Sequence, residues 1–272
     1  MFNFSSNPKK MLLLMWRHRD LISASAKREV LGRYRGSIMG LLWPIIIPIF
    51  MLAIYTFIFS VVFKARWGET GGSKTEFALM LFAGLIVFNI FSECITRAPG
   101  IILSNVNYVK KVVFPLEILP IVNLISALFH GAISLIVWIF AYIILFGLPH
   151  ATIIYLPLII LPYLLFIMGL SWFLASLGVY LRDVGQIVNL LTTVLMFMSP
   201  IFYPLTALPE DYRHFLYLNP LTTVIEQVRS VLYFGNPPNF PILVVYWVSA
   251  FMIAWMGFAW FQKTRKGFSD VL

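Results

Sequence analysis

Long uncharged runs, separated by short clusters of charge, divide this chain. No residue from Gly36 to Phe63 is charged, and no Asp, Glu, Lys or Arg occurs in the 64 residues between Ile118 and Leu181. At 1.5 Å per residue, about 20 apolar residues cross a bilayer core of roughly 30 Å. The longer run exceeds one crossing, and Gly147-Leu148-Pro149-His150 supplies a turn within it. It therefore reads as a hairpin of two spans. The whole pattern predicts an all-α, polytopic membrane protein with six transmembrane helices at about 37–63, 77–97, 117–147, 152–181, 184–205 and 242–262. Residues 1–36 form a tail and interfacial helix, and residues 37–272 form one transmembrane domain.

Several segments depart from a plain bundle. Leu12, Met15, Ile22, Ala26 and Val30 recur near one helical face within residues 9–35, but Arg19, Glu29 and Arg33 interrupt it. Pro44 and Pro48 lack N–H donors and crowd the preceding turn, which predicts a loosened first half of span one. That bend serves either packing or an entrance. In Asn105–Pro120, Tyr108, Lys110 and Lys111 lie on a short segment between spans two and three. This is either a solvated charge pair or a docking surface. Pro200, Pro204 and Pro209 end the fifth span, and two apolar stretches too short to cross follow. Residues 210–236 read as a re-entrant outer pair, with an interfacial cap as the alternative. Glu226 and Arg229 are three residues apart and can pair on one face.

Composition narrows the class. Of 272 residues, 60% are hydrophobic and 11% charged, against about 25% charged in soluble domains. The net charge of +9 collects on one side. Residues 1–36, 93–117, 182–183 and 263–272 hold all of the excess, and the opposite loops balance to zero. Basic residues favour the cytoplasm, so both termini are expected there, and the charge is a topology signal rather than a nucleic-acid footprint. Met11–Trp16 is too short for a secretory signal. The single Cys94 excludes an intrachain disulfide or a cysteine-based zinc cluster.

Catalytic signatures are missing. Gly68–Thr75, GETGGSKT, approaches a phosphate loop, but Ser73 replaces the second glycine and an outer loop is the wrong setting. There is no HExxH or GxSxG. His130 is alone in span three; Glu93 and Arg97 suit an interfacial ion pair, and Arg182-Asp183 ends span four. No metal site is expected. Aromatic residues that could line a path and stack on sugar faces are Tyr55, Phe59, Phe88, Phe91, Phe197, Phe202 and Tyr203. Packing against lipid or helices is the other reading for each. Gly32, Gly36 and Gly40 recur every four residues, a weak signal for close helix contact.

Four ordered stretches, REVLGRYRGSIMGLLWPIIIPI, NYVKKVVFPLEILP, YLRDVGQIVNLLTTVLMFMSPIFYP and LNPLTTVIEQVRSVL, resemble the membrane subunit of ABC-2 type polysaccharide exporters. That family includes O-antigen, capsule and teichoic-acid permeases. The resemblance runs from about Arg28 to the ending FQKTRKGFSDVL. It implies a homodimer joined to two copies of a cytoplasmic ABC ATPase in the bacterial inner membrane. ATP and Mg would be held by that partner, with no cofactor in this chain and no enzymatic activity of its own. The cargo implied is a lipid-linked glycan, commonly on undecaprenyl diphosphate. Short outer loops lean towards O-antigen; capsule, teichoic acid, or a drug or other lipid are the alternatives. An ATP-independent channel, carrier or membrane enzyme would instead depend on His130 or Glu93. By resemblance, Arg28, Arg33, Arg35, Asn105, Tyr108, Lys110 and Lys111 face the ATPase, and Pro220, Glu226 and Arg229 belong to an outer gate.

Overall fold

A computed structural model describes residues 8–59, 74–110 and 114–272. Two helices, α1 (Pro8–Arg17) and α2 (Arg19–Arg33), precede the first apolar helix, α3 (Trp43–Phe57). Then follow α4 (Lys74–Arg97), the short α5 (Val106–Lys110), α6 (Leu119–Phe146), α7 (Leu156–Tyr180) and α8 (Val184–Phe197). The chain closes with α9 (Glu210–Tyr217), α10 (Pro220–Leu232), α11 (Phe240–Thr264) and α12 (Phe268–Val271). No strand occurs among the described residues.

Five stretches among the described residues are long and apolar enough to cross a membrane: Gly40–Phe57, Thr75–Gly100, Leu116–Phe146, Ala151–Tyr180 and Phe240–Val271. The predicted hairpin is present. Gly147 turns it at φ +90 and ψ −158, a backbone shape open to glycine. The fifth predicted span, 184–205, differs: its helix stops at Phe197 after 14 residues. Ser199 precedes Pro200, which disfavours helical geometry, and the proline ring could not continue the ladder. Residues 60–63 of the first predicted span and Gly68–Ser73 lie outside the described residues.

α4 is the axis of the fold. Of its apolar window 83% is buried, against 6% for Gly40–Phe57. α6 and α7 flank α4, and α10 packs on its first half. Trp138 Nε1 on α6 donates to Leu79 O (2.8 Å), and Tyr163 Oη on α7 donates to Val87 O (2.6 Å). These bonds tie two neighbours to α4 without leaving a buried polar atom unmet. α7 and α11 run side by side, with Gly169 and Gly257 at their closest approach.

The two-proline break in span one reduces to a single internal proline. Pro44 falls in the first turn of α3, where an absent N–H leaves no bond unmade. Only Pro48 lies inside, and these two are the buried residues of a helix whose Ile45, Ile47 and Ile49 are exposed. The glycine repeat does not form a helix face. Gly32 lies on α2, whereas Gly36 and Gly40 have φ of +84 and +48 in the connection, and none has a neighbour within 4 Å of a would-be Cβ.

Candidate functional site

The end of the bundle nearest α2 carries a polar network built from three helices. Glu93, on the last turns of α4, pairs with Arg33 of α2 at 2.6 Å and His130 of α6 at 3.1 Å. Its expected partner Arg97 is 3.7 Å away. Arg97 binds more closely elsewhere, to Glu29 at 2.5 Å and Asn123 Oδ1 at 3.0 Å. Tyr34 Oη is 2.9 Å from His130 Nε2. Burial raises the Tyr34 phenol, so it remains protonated and can donate to that nitrogen. His130 Nδ1 faces both Arg33 and Glu93 at 3.1 Å. With Nε2 accepting from Tyr34, Nδ1 carries the proton and donates to the carboxylate, the better acceptor. His130 is therefore satisfied by its neighbours and fastens the N-terminal helix to the bundle.

Beside this network lies a cavity of about 330 Å³, walled by α2, the end of α4 and the connection to α6. Arg28 Nη2 donates to Tyr108 Oη across its mouth at 2.7 Å. Tyr108 stacks on Phe114 with ring centres 4.3 Å apart. Asn105 Nδ2 donates to Ile101 O at 2.9 Å, closing the short turn that precedes α5. On its far side the connection is fixed to the C-terminal segment. Arg265 pairs with Glu117 and donates to Phe114 O at 3.0 Å, and Lys110 bonds the main-chain oxygen of Leu272. The described parts of the connection are thus held from both sides.

Arg28, Asn105 and Tyr108 are the predicted docking residues that this geometry brings together. Arg33 turns inward to Glu93, and Lys110 turns to Leu272. Arg35 is exposed beyond the end of α2, and Lys111 lies outside the described residues. Glu29, Asn123, Glu117 and Arg265 were missed, because their partners are 26 to 148 positions distant in sequence. An expected effect follows for Tyr108→Phe. It removes one hydroxyl from Arg28 but retains the Phe114 stack, so stability should fall by only about 1 kcal/mol. Thermal unfolding of the purified protein checks this.

At the opposite end of the bundle, Arg229 of α10 is 1% exposed along its side chain. Nε donates to Met80 O at 2.9 Å, Nη2 to Ile201 O at 2.9 Å, and Nη1 to Pro200 O and to Glu226 Oε1, the latter at 3.1 Å. The predicted Glu226 pair is present, but the carbonyl contacts were not legible. Two of those carbonyls belong to the irregular backbone that follows α8. Gly84 makes space for the guanidinium: a Cβ there would be 2.8 Å from Nη2. Pro220 opens α10 behind Asn219, whose side chain accepts from Leu221 N.

The predicted aromatics separate into two groups. Phe88 and Phe91 are each 3% exposed and pack inside the bundle, Phe91 stacking on Phe166. Both rings pack against other helices of the chain, the second of the two readings given for each. Phe59 stacks on Phe77 at 5.2 Å and on Phe202 at 6.3 Å, and Phe202 stacks on Phe197 at 5.8 Å. This row leads from the core to Phe197, which is 60% exposed. Tyr203 closes the turn by donating to Phe197 O at 3.1 Å, and Tyr55 is half-buried on α3.

Stacked apolar spans around a buried axis define a multi-pass membrane protein. Residues 20–233 match the ABC-2 type transporter family, and the chain belongs to it. It is 26% identical over 255 residues to the O-antigen export system permease protein RfbA of Klebsiella pneumoniae, covering 93% of this chain and 95% of that protein. A protein of the same name from Myxococcus xanthus is 25% identical over 258 residues, covering 94% and 96%. The polysialic acid transport protein KpsM of Escherichia coli is 26% identical over 216 residues, covering 78% and 80%.

Proposed function

We propose that this chain is the membrane-spanning subunit of an ATP-driven polysaccharide exporter, and that its cargo is an O-antigen carried on a lipid diphosphate such as undecaprenyl diphosphate. The observation that carries this reading is the nearly end-to-end likeness to two O-antigen export permeases. The shorter match to KpsM favours a capsule-type glycan as the second reading. Two copies of the chain would frame the path in the bacterial inner membrane, each with one cytoplasmic ABC ATPase. ATP and Mg would be bound and spent in those partners.

The cavity bordered by Arg28, Asn105 and Tyr108 is suited to receive the ATPase. A push there would reach α4 and α6 through Arg97, Glu29 and Asn123, and α11 through Arg265 and Glu117. In this reading both termini are cytoplasmic. α8 and the irregular residues up to 205 make the fifth of six crossings, and residues 210–236 re-enter from outside as a gate. Arg229 meets the carbonyls that such a broken backbone would leave unpaired in the membrane. Phe59, Phe202, Phe197, Tyr203 and Tyr55 offer flat apolar faces to a passing sugar chain without holding it at any one ring.

The test is a deletion strain that makes the glycan, complemented by this chain and its ATPase. Surface glycan should return, and the ATPase should co-purify in equal numbers with the tagged chain. A chain that purifies alone from several mild detergents and restores no glycan would sink the proposal. Phe197→Ala combined with Tyr203→Ala should lower surface glycan at least severalfold while ATPase co-purification is retained. Unchanged export would remove those two residues from the path.

A further inference from the structure

A groove of about 610 Å³ runs between α2 and α6, outside the polar network. Ile22, Ala26 and Val30 of α2 face Ile121, Ile125 and Phe129 of α6 across it. The α2 residues recur every four positions, so they form one stripe of the helix. Arg19, Ser23 and Lys27 recur with the same spacing and form the neighbouring stripe, along the rim. The mouth is apolar as well: Leu41 is 51% and Phe129 38% exposed.

We propose that this groove holds one acyl chain of an anionic glycerophospholipid, with the lipid phosphate at the Ser23–Lys27 rim. Three observations favour a lipid. α6 is long and apolar enough to cross a membrane, which would set a groove along its flank against lipid. Its rim carries two cations, and Lys27 makes no ion pair among the described residues. Charge complementarity selects an anionic headgroup, since the acid facing this rim, Asp20, is spread to solvent at 96% side-chain exposure and is 3.8 Å from Arg19. Glu29, on the same helix, is occupied by Arg97 on another face. The lipid would fill the space beneath α2 and seat that helix against the bundle. This site is independent of what the protein exports.

The full chain, purified in mild detergent and mixed with equal amounts of phosphatidylglycerol and phosphatidylcholine, would be examined by native mass spectrometry. One phosphatidylglycerol per chain should survive collisional stripping, in preference to phosphatidylcholine. A headgroup cation near the surface is worth roughly fivefold in binding. Arg19→Gln with Lys27→Gln should therefore erase most of the preference while a lipid is still retained. Ser23→Trp should remove the retained lipid, because the indole occupies the groove; Ser23 is exposed, so no packed neighbour is disturbed. Thermal unfolding confirms that each variant is folded, and Leu31→Trp, at the mouth, replaces Ser23→Trp if it is not. Equal retention of both lipids by the natural chain, or undiminished phosphatidylglycerol in the tryptophan variant, overturns the proposal. So does a second chain that is retained in place of lipid and is lost in the Ser23→Trp variant.

Discussion

Arg229→Ala is expected to cost about 3–5 kcal/mol, because it leaves three carbonyl oxygens without their donor at about 1–3 kcal/mol each. The guanidinium serves carbonyls from two separate parts of the chain, Met80 on α4 and Pro200 and Ile201 beyond α8. Without it those oxygens and Glu226 lose their donor in a place water reaches poorly. A loss of this size is a large share of a typical stability margin of about 5–15 kcal/mol. The variant should give little monodisperse protein and a much lower unfolding temperature. Arg229→Lys should rescue only partly, since one ammonium cannot reproduce the planar fork that spans these acceptors. Glu226→Gln should be mild, because the Glu226 side chain is 36% exposed and water can replace part of the contact. If Arg229→Ala unfolds together with the natural chain, the carbonyl clamp has no role in holding the outer segment.

This arginine shows what the sequence could and could not disclose. Its i,i+3 partner was legible because helix geometry fixes that distance. Its principal acceptors were not, because carbonyls carry no residue identity and are 28 to 149 positions away. The same division holds at the inner end. The apolar face of α2 looked interrupted by Arg33, and that reading weakened the amphipathic signal. Arg33 in fact turns towards Glu93, so a half-buried ion pair was mistaken for a polar gap. The apolar spans were legible because length and hydropathy suffice when every backbone group must be bonded internally. α8 was read too long because its apolar run continues past Phe197, whereas Pro200 decides where the helix ends. The burial of Phe88 and Phe91 was not legible for a related reason: composition marks an aromatic but not the side of the helix on which it falls.

Gly257→Leu is the second substitution expected to have a large effect, and its cause is purely steric. A Cβ at Gly257 would be 2.0 Å from Gly169 O and 2.9 Å from Gly169 Cα, and a Cβ at Gly169 would be 2.4 Å from Ile253 O. These are main-chain atoms, so no rotamer relieves the clash; α7 and α11 must separate. Ser176 and Thr264 each follow the contact by seven residues, and their hydroxyls are 2.6 Å apart. The two helices are thus parallel and in register over about two turns. Separation at the glycines would also strain that bond and the one from Tyr180 Oη to Thr264 O. The loss should reach or exceed the upper end of the roughly 1–3 kcal/mol typical of overpacking, read as a lower unfolding temperature in detergent. Gly32→Ala provides the contrast. Gly32 is helical with open space around it, so alanine should raise stability by about 0.4–1 kcal/mol. Equal effects at the two sites would refute the argument. Close helix contact here depends on glycines 88 positions apart that meet across two spans, whereas the regular four-residue repeat at 32, 36 and 40 touches nothing.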